Sequence, residues 1–339
     1  MTVHRRDFLL GLAGVVVARH TRSADRPLVE ILGRLPSRIE RVFVAGSPAA
    51  VLLYTLAPDR MLGWPMQLTA VARSMLAPPA RELPMVGRLA GRGSTVTVEA
   101  LAAMQPDLIL DAGTVDATYR STAQRVARQT GLPYALVDGR LADSARQLLE
   151  VGALLGVESR ALRLSEYAAE ALATARQLGA GRATQAPGVY LARGADGLET
   201  ALTGSINGEV IGAAGGRNVA DLHGGVARVS MEQLLTWRPD WIVTQDPQFH
   251  SLTRSDGTWN TLAAVREGRV LLLPSQPFGW LDGPPGVNRL LGVRWLAARL
   301  HRAELSPEET LAEAQRFHQL FYGRPLAPEL LWAQFDGRA

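Results

Sequence analysis

Two hydrophobic patterns alternate along this chain. Short, nearly unbroken apolar runs at 41–45 (RVFVA), 107–113 (DLILDAG), 134–137 (YALV), 188–194 (GVYLARG), 240–246 (DWIVTQD) and 270–273 (VLLL) read as strands. The segment 61–64 (MLGW) reads as a further strand with its exit. Stretches with apolar residues three and four apart, at 49–57, 119–130, 208–214, 258–266 and 286–297, read as helices. Continuous apolar character suits parallel strands covered on both faces. Strands alternating with helices predict βαβ units and a doubly wound α/β sheet.

The pattern contains a repeat. Residues 96–110 (VTVEALAAMQPDLIL) and 229–243 (VSMEQLLTWRPDWIV) share V-[ST]-x-E-x-L followed by P-D-x-I, 133 positions apart. Thr97 and Ser230 supply N-caps, and Ser230 with Gln233 has the form of a capping box. Each short helix carries Leu101 and Met104, or Leu234 and Trp237, on one face. Pro106 or Pro239 ends it, and a buried strand follows. Asp107 and Asp240 read as turn chemistry at the strand entry. The duplicated phrase implies two similar α/β units.

Between the units, 144–155 is helical, Gly156 breaks it, and 158–178 runs on without Gly or Pro. Ala161, Leu162, Leu164, Ala168, Ala169, Leu172 and Ala175 give that run helical periodicity. Flexible linkers are rich in Gly and Ser; this one is stiff. The predicted architecture is two doubly wound α/β lobes joined by one long rigid α-helix, with a ligand cleft between the lobes. The lobes are assigned to 25–140 and 183–300 and the connecting helical segment to 141–182. A helical extension, 301–339, is expected to pack on the second lobe.

Composition narrows the class. Apolar residues make up 47% and charged residues 20% of the 339, as in globular proteins. There is no cysteine, hence no disulfide, thiolate metal site or lipid-bearing cysteine. All 36 basic side chains are Arg, the net charge is only +4, and no dense basic run exists, which argues against nucleic acid as a partner. Residues 1–24 read as an export signal: a basic pair precedes an apolar run too short to span a bilayer. Arg5-Arg6-Asp7-Phe8-Leu9 resembles the twin-arginine motif, with an ordinary Sec signal as the alternative. The expected product is a soluble periplasmic protein.

Ligands of open α/β sheets bind beyond the carboxyl ends of the strands. That rule selects Ser47, Pro48, Trp64, Asp111, Gly113 and Thr114 in the first unit. In the second it selects Arg193, Gly194, Asp246, Phe249 and His250, with Trp280 and Asp282 from the segment 276–283 (QPFGWLDG). For each tryptophan, core packing is the competing reading. Ser205 and Asn207 precede a helix and read equally well as caps. Of six histidines only His223 and His250 fall near the cleft, too few for a bare-metal site. No Gly-x-Ser-x-Gly elbow, Walker loop or His-Glu-x-x-His motif supports an enzyme.

From about residue 38 to residue 300 the chain resembles the class III periplasmic binding proteins of ABC importers, which carry ferric siderophores, haem, cobalamin and related chelates. The resemblance rests on RVFVAGSPAAVLLYTLAPDRMLGW, both copies of the phrase, the long connecting helix, ALTGSINGEVIGAAGGRNVAD and the segment 258–297. It implies that Glu99 and Glu232 dock the importer's transmembrane subunits through Arg contacts, which a helix-start carboxylate suits. It also implies a monomeric carrier of a metal chelate with no cofactor of its own. A ferric siderophore stands first, then haem or cobalamin, then a nickel or cobalt chelate. Such cargo wants aromatic walls and Arg, offered by Trp64, Trp280, Phe249, Arg193 and Arg92. His250 is the candidate for completing the coordination of a chelated metal. The alternatives are an exported chelate-modifying enzyme and a stand-alone scavenger that binds without docking.

Overall fold

The computed structural model describes residues 26–89, 93–180, 186–303 and 305–338. The expected export signal and Arg92 lie outside them. In chain order the first lobe comprises β1 (Val29–Leu32), β2 (Val42–Val44), α1 (Ser47–Leu56), α2 (Ala70–Met75), α3 (Val98–Ala103), β3 (Leu108–Gly113), α4 (Ala117–Thr130) and β4 (Tyr134–Asp138). Then come α5 (Ser144–Leu155) and α6 (Glu158–Gly179). The second lobe comprises β5 (Gly188–Ala192), β6 (Glu199–Ala201), α7 (Glu209–Ala213), β7 (Arg217–Asn218), β8 (Val226–Arg228), α8 (Met231–Trp237), β9 (Trp241–Thr244), α9 (Pro247–Ser255), α10 (Ala263–Arg266), β10 (Val270–Leu272) and α11 (Arg289–Leu300). Helices α12 (Pro307–Phe317) and α13 (Pro328–Phe335) follow.

Each lobe is built on a four-stranded sheet, ordered β1-β4-β3-β2 in the first and β10-β9-β5-β7 in the second. β2, β3 and β4 run parallel, as do all four strands of the second sheet. β3 is buried along its whole length, as its unbroken apolar sequence requires. The antiparallel edge strand β1 was not legible, because VEIL is short and half-exposed. Residues 61–64 do not form a strand; Met61 bridges to Val42 and Trp64 to Met85 as isolated pairs. The residues after β9, expected at a strand end, enter helix α9 at Pro247 instead.

The repeat holds down to single torsions. Thr97 and Ser230 cap α3 and α8 through their side chains, and the capping box at Ser230 is complete. The Asp107 carboxylate accepts the N–H groups of Glu40 and Arg41 at 2.8 Å each, at the entry to β2. The Asp240 carboxylate accepts Gly188 N–H at 2.6 Å, at the entry to β5. The Pro-Asp pair therefore clamps the neighbouring strand in both lobes. The residue before each proline, Gln105 and Arg238, is left-handed with φ +47°. A side chain strains that conformation by roughly 1–2 kcal/mol. Arg238→Gly is expected to stabilise the protein by about 1 kcal/mol in urea unfolding, since glycine's entropy cost offsets part of the relief.

The lobes are joined stiffly. α6 has 22 residues, about 33 Å of helix at 1.5 Å per residue. α5 can lie tightly against it because Gly152 carries no side chain: a Cβ there would stand 2.2 Å from that of Ala161. The C-terminal extension, expected on the second lobe, braces both. Gln334 accepts N–H groups of Ser275 and Gln276 on the second lobe. Tyr54 of α1 donates to Tyr322 O at 2.8 Å, and Arg324 donates to Ser74 O at 2.9 Å on the first. The extension sits on the first lobe because π-helical turn 318–322 offers a ring, Tyr322, to the aromatic cluster of Tyr54 and Phe278. No helix of the described residues is long and apolar enough to cross a membrane.

Candidate functional site

The carboxyl ends of β3 and β4 in the first lobe face residues 204–209 of the second. A cavity of about 370 Å³ lies there, walled in the first lobe by Arg26, Glu30, Thr114, Arg120, Asp138 and Arg140 and in the second by Gly204, Ile206 and Glu209. Ile206 reaches across: a Cβ on Gly113 would lie 3.8 Å from its Cδ1. Thr114 is exposed at the end of β3, as the strand-end rule requires. Asp138 ends β4 and Arg140 lies two residues beyond it, where the same rule applied to 134–137 would have found them. Glu30 and Arg120 could not be found, because they meet only through the unpredicted β1.

The charges around this cavity are organised in pairs. Arg120 Nε lies 2.8 Å from Glu30. Arg140 lies 3.2 Å from Asp138 and 3.1 Å from Asp143. Glu209 lies 3.2 Å from Arg289, which stands behind the wall. Three arginines and three carboxylates line the cavity, and with Arg289 and Asp143 behind them the charges balance at four of each. Burial depresses the Arg289 pKa, opposed by the Glu209 and Asp282 carboxylates. Guanidinium nonetheless stays charged in proteins.

A second cavity, about 210 Å³, lies over the ends of β5 and β9 and is lined by Arg193, Glu199, Gln245, Asp246 and Asp282 among others. Arg193 bridges Glu199 at 2.5 Å and Asp282 at 2.9 Å. Asp282 in turn accepts from Asn207 at 2.8 Å. Arg193 and Asp282 thus belong to a polar network at the cleft wall of the second lobe. Asp246 is engaged as the N-cap of α9. No group of three or more His, Asp or Glu among the described residues is arranged to hold a metal ion.

Other predicted site residues lie elsewhere, and each has a physical reason. Trp64 is 0% exposed, its Nε1 donates to Ala80 O at 2.8 Å, and it packs with Tyr54 and Phe278. Trp280 is buried edge-on against Phe335, with its carbonyl filling the space that Gly292 leaves. Phe249 is buried against Trp259, because α9 turns it inward. The aromatic wall expected of a chelate site is therefore core, and neither cavity has an aromatic residue among its described lining. Asp111 is 4% exposed and accepts the Tyr134 hydroxyl at 2.8 Å. Burial pushes its carboxyl up to about 6 against the lowering effects of that hydrogen bond and of Ala112 N–H. His250 is half-buried on α9 and lines neither cavity; burial, then Arg254, holds its imidazole below the ordinary value. Ser47 opens α1, and its hydroxyl donates to Met66 Sδ at 3.0 Å.

Glu99 and Glu232 sit in the first turns of α3 and α8, both exposed. The Glu99 carboxyl is held below the usual range by its own N–H and the Thr97 hydroxyl. The Ser230 hydroxyl and its own N–H do the same for Glu232. Two solvent-facing carboxylates, one per lobe, thus share one local geometry.

Two α/β lobes, a stiff helical connection and a cleft at the strand ends define a bilobal binding protein. Residues 70–277 match the periplasmic binding protein family, and the chain belongs to that family. The whole fold matches an ABC transporter solute-binding protein from Sulfurospirillum deleyianum at TM-score 0.80 and 27% identity, over 89% of this chain and 95% of that one. The molybdate-binding protein MolA of Haemophilus influenzae is 29% identical over 136 residues, 39% of this chain and 38% of MolA. The chain thus aligns in sequence with well under half of that relative. The structure of MolA bound to molybdate matches the fold at TM-score 0.67 and 21% identity, over 87% of this chain and 96% of that one. The family is one of binding proteins rather than enzymes, which removes the chelate-modifying alternative.

Proposed function

We propose that this protein is the periplasmic carrier of an ABC importer and that its cargo is a compact anion, a molybdate-type oxyanion or a small anionic metal complex. The lining of the interlobe cavity carries the cargo reading: about 370 Å³, with Arg26, Arg120 and Arg140 among three carboxylates, and with no aromatic residue among its described lining. That volume is at the small end of ligand pockets. A ferric siderophore, haem or cobalamin is larger and calls for ring surfaces that here are core. The likeness to a molybdate-binding relative supports the same reading. Export through residues 1–24 and action as a monomer complete the proposal.

Calorimetric titration of the purified protein with sodium molybdate, and separately with a ferric catecholate, tests the cargo. One molybdate per chain is expected. Arg140→Ala should weaken it at least about tenfold, the scale of a hydrogen bond to a charged group. Binding of the catecholate with no heat from molybdate would sink the compact-anion reading and return the ferric siderophore to first place.

Docking is assigned to Glu99 and Glu232. Their matched helix-start geometry supports this role, since an exposed ionised carboxylate can receive a bidentate Arg. In membrane vesicles carrying the cognate importer, Glu99→Ala/Glu232→Ala should reduce uptake at least about tenfold while cargo affinity is unchanged. Uptake at the wild-type rate would favour the stand-alone scavenger.

A further inference from the structure

One buried cation ties the two lobes together. Arg289, at the start of α11, is 1% exposed. It donates to Gly139 O in the first lobe at 2.8 Å and to Ile206 O in the second at 2.5 Å. Its Nε donates to Gly286 O at 3.1 Å, and Nη1 meets Glu209 at 3.2 Å. Glu209 reaches back in the other direction, accepting at 2.7 Å the N–H of Leu141, where the first lobe passes into the connecting segment. Gly139 and Leu141 flank Arg140, and Ile206 and Glu209 line the cleft, so both cross-lobe bonds lie at the cavity wall.

We infer that Arg289 and Glu209 form a positioning latch that sets the separation of the lobes and hence the width of the cleft. A guanidinium this deeply buried is tolerated only when its donors are all placed. Parting the lobes at this edge would strip it of Gly139 O and strip Glu209 of Leu141 N–H. The buried charge therefore biases the lobes toward the observed spacing. Neighbouring contacts act in the same sense: Thr69 of the first lobe donates to Gln276 of the second at 3.0 Å. That contact, however, involves no buried charge. The latch does not depend on what fills the cleft.

The absence of cysteine allows a clean test without cargo. Spin labels at Ser121→Cys on α4 and Ser251→Cys on α9, both exposed, report the interlobe distance by pulsed electron resonance. The parent should give one narrow distance distribution. Glu209→Ala should broaden it and speed hydrogen exchange at the Leu141 amide at least about tenfold. Glu209→Gln, which keeps an acceptor for that amide, should fall between. A role confined to the second lobe's stability would lower the melting temperature and leave distance and Leu141 exchange untouched; that result overturns the latch. Should Glu209→Ala fail to fold, Glu209→Gln decides: a broadened distribution supports the latch and an unchanged one rejects it.

Discussion

Trp64→Ala is expected to cost about 3–5 kcal/mol of folding stability, the range for removing a large buried aromatic. The indole is fully enclosed, its centroid 5.6 Å from that of Tyr54 and 5.8 Å from that of Phe278. Truncation leaves a cavity and orphans Ala80 O, which now accepts the indole N–H. Phe278 comes from the second lobe and packs on Trp64 and Tyr54 of the first, so the cavity also loosens an interlobe contact. A domain's whole stability is about 5–15 kcal/mol, so the loss would consume a large share of it. Urea unfolding of Trp64→Ala and Trp64→Phe is the measurement. The Phe variant keeps most of the ring contact and should lose roughly half as much. A tryptophan presented to cargo would behave differently: its replacement would change the unfolding free energy by less than about 0.5 kcal/mol, as at ordinary surface positions. That outcome would restore Trp64 to the ligand site.

The strand-end rule selects cavity-lining residues where the strand ends are correctly located. It selected Thr114 and Arg193, which line cavities, because β3 and β5 are apolar and fully buried and their ends are unambiguous; Asp282, from the segment after β10, lines a cavity as well. It failed at Trp64, since 61–64 is no strand, and at Phe249 and His250, since the residues after β9 enter a helix at once. Apolar runs give no direction perpendicular to the chain. Whether an aromatic residue at a loop faces the cleft or the core depends on its tertiary neighbours: Trp280 turns inward because Gly292 leaves room and Phe335 arrives from the C-terminal extension. The repeat was the most legible feature, because capping and turn chemistry are local. Even so, the left-handed Gln105 and Arg238 were not visible, since neither residue type advertises that conformation. The Arg289–Glu209 contact lay beyond reach for another reason: its partners are 80 positions apart and no local pattern links them.

Two buried titratable groups should give the protein opposing pH dependences that separate on mutation. His318, in the π-helical turn, is enclosed by Phe317 and Tyr322, and its Nδ1 has no hydrogen-bond partner. Burial pushes its imidazole down to about 3 from an ordinary 6.5. The unfolded chain binds a proton below pH 6.5 that the folded chain refuses, so stability is full above that pH and falls toward pH 3. At about 1.4 kcal/mol per pH unit, the loss between pH 6.5 and 4.5 is on the order of 2–3 kcal/mol. Asp111 has the opposite sign. Its folded value of about 6 exceeds the ordinary 3.8, so the folded state holds the extra proton. Its contribution is present below pH 3.8 and is lost as pH rises to 6, on the order of 3 kcal/mol in all. In the shared window between pH 3.8 and 6 the two slopes nearly cancel in the native protein. Asp111→Asn, which still accepts the Tyr134 hydroxyl, should stabilise the protein by about 2–3 kcal/mol at pH 7.5 and by almost nothing at pH 3.5. His318→Phe should gain stability relative to wild type as pH falls from 6.5 to 4.5. Urea unfolding of the three proteins across pH 3.5–8 reads both signs. Parallel curves for wild type and His318→Phe would mean that His318 takes its proton in the folded state, and the burial argument would be wrong.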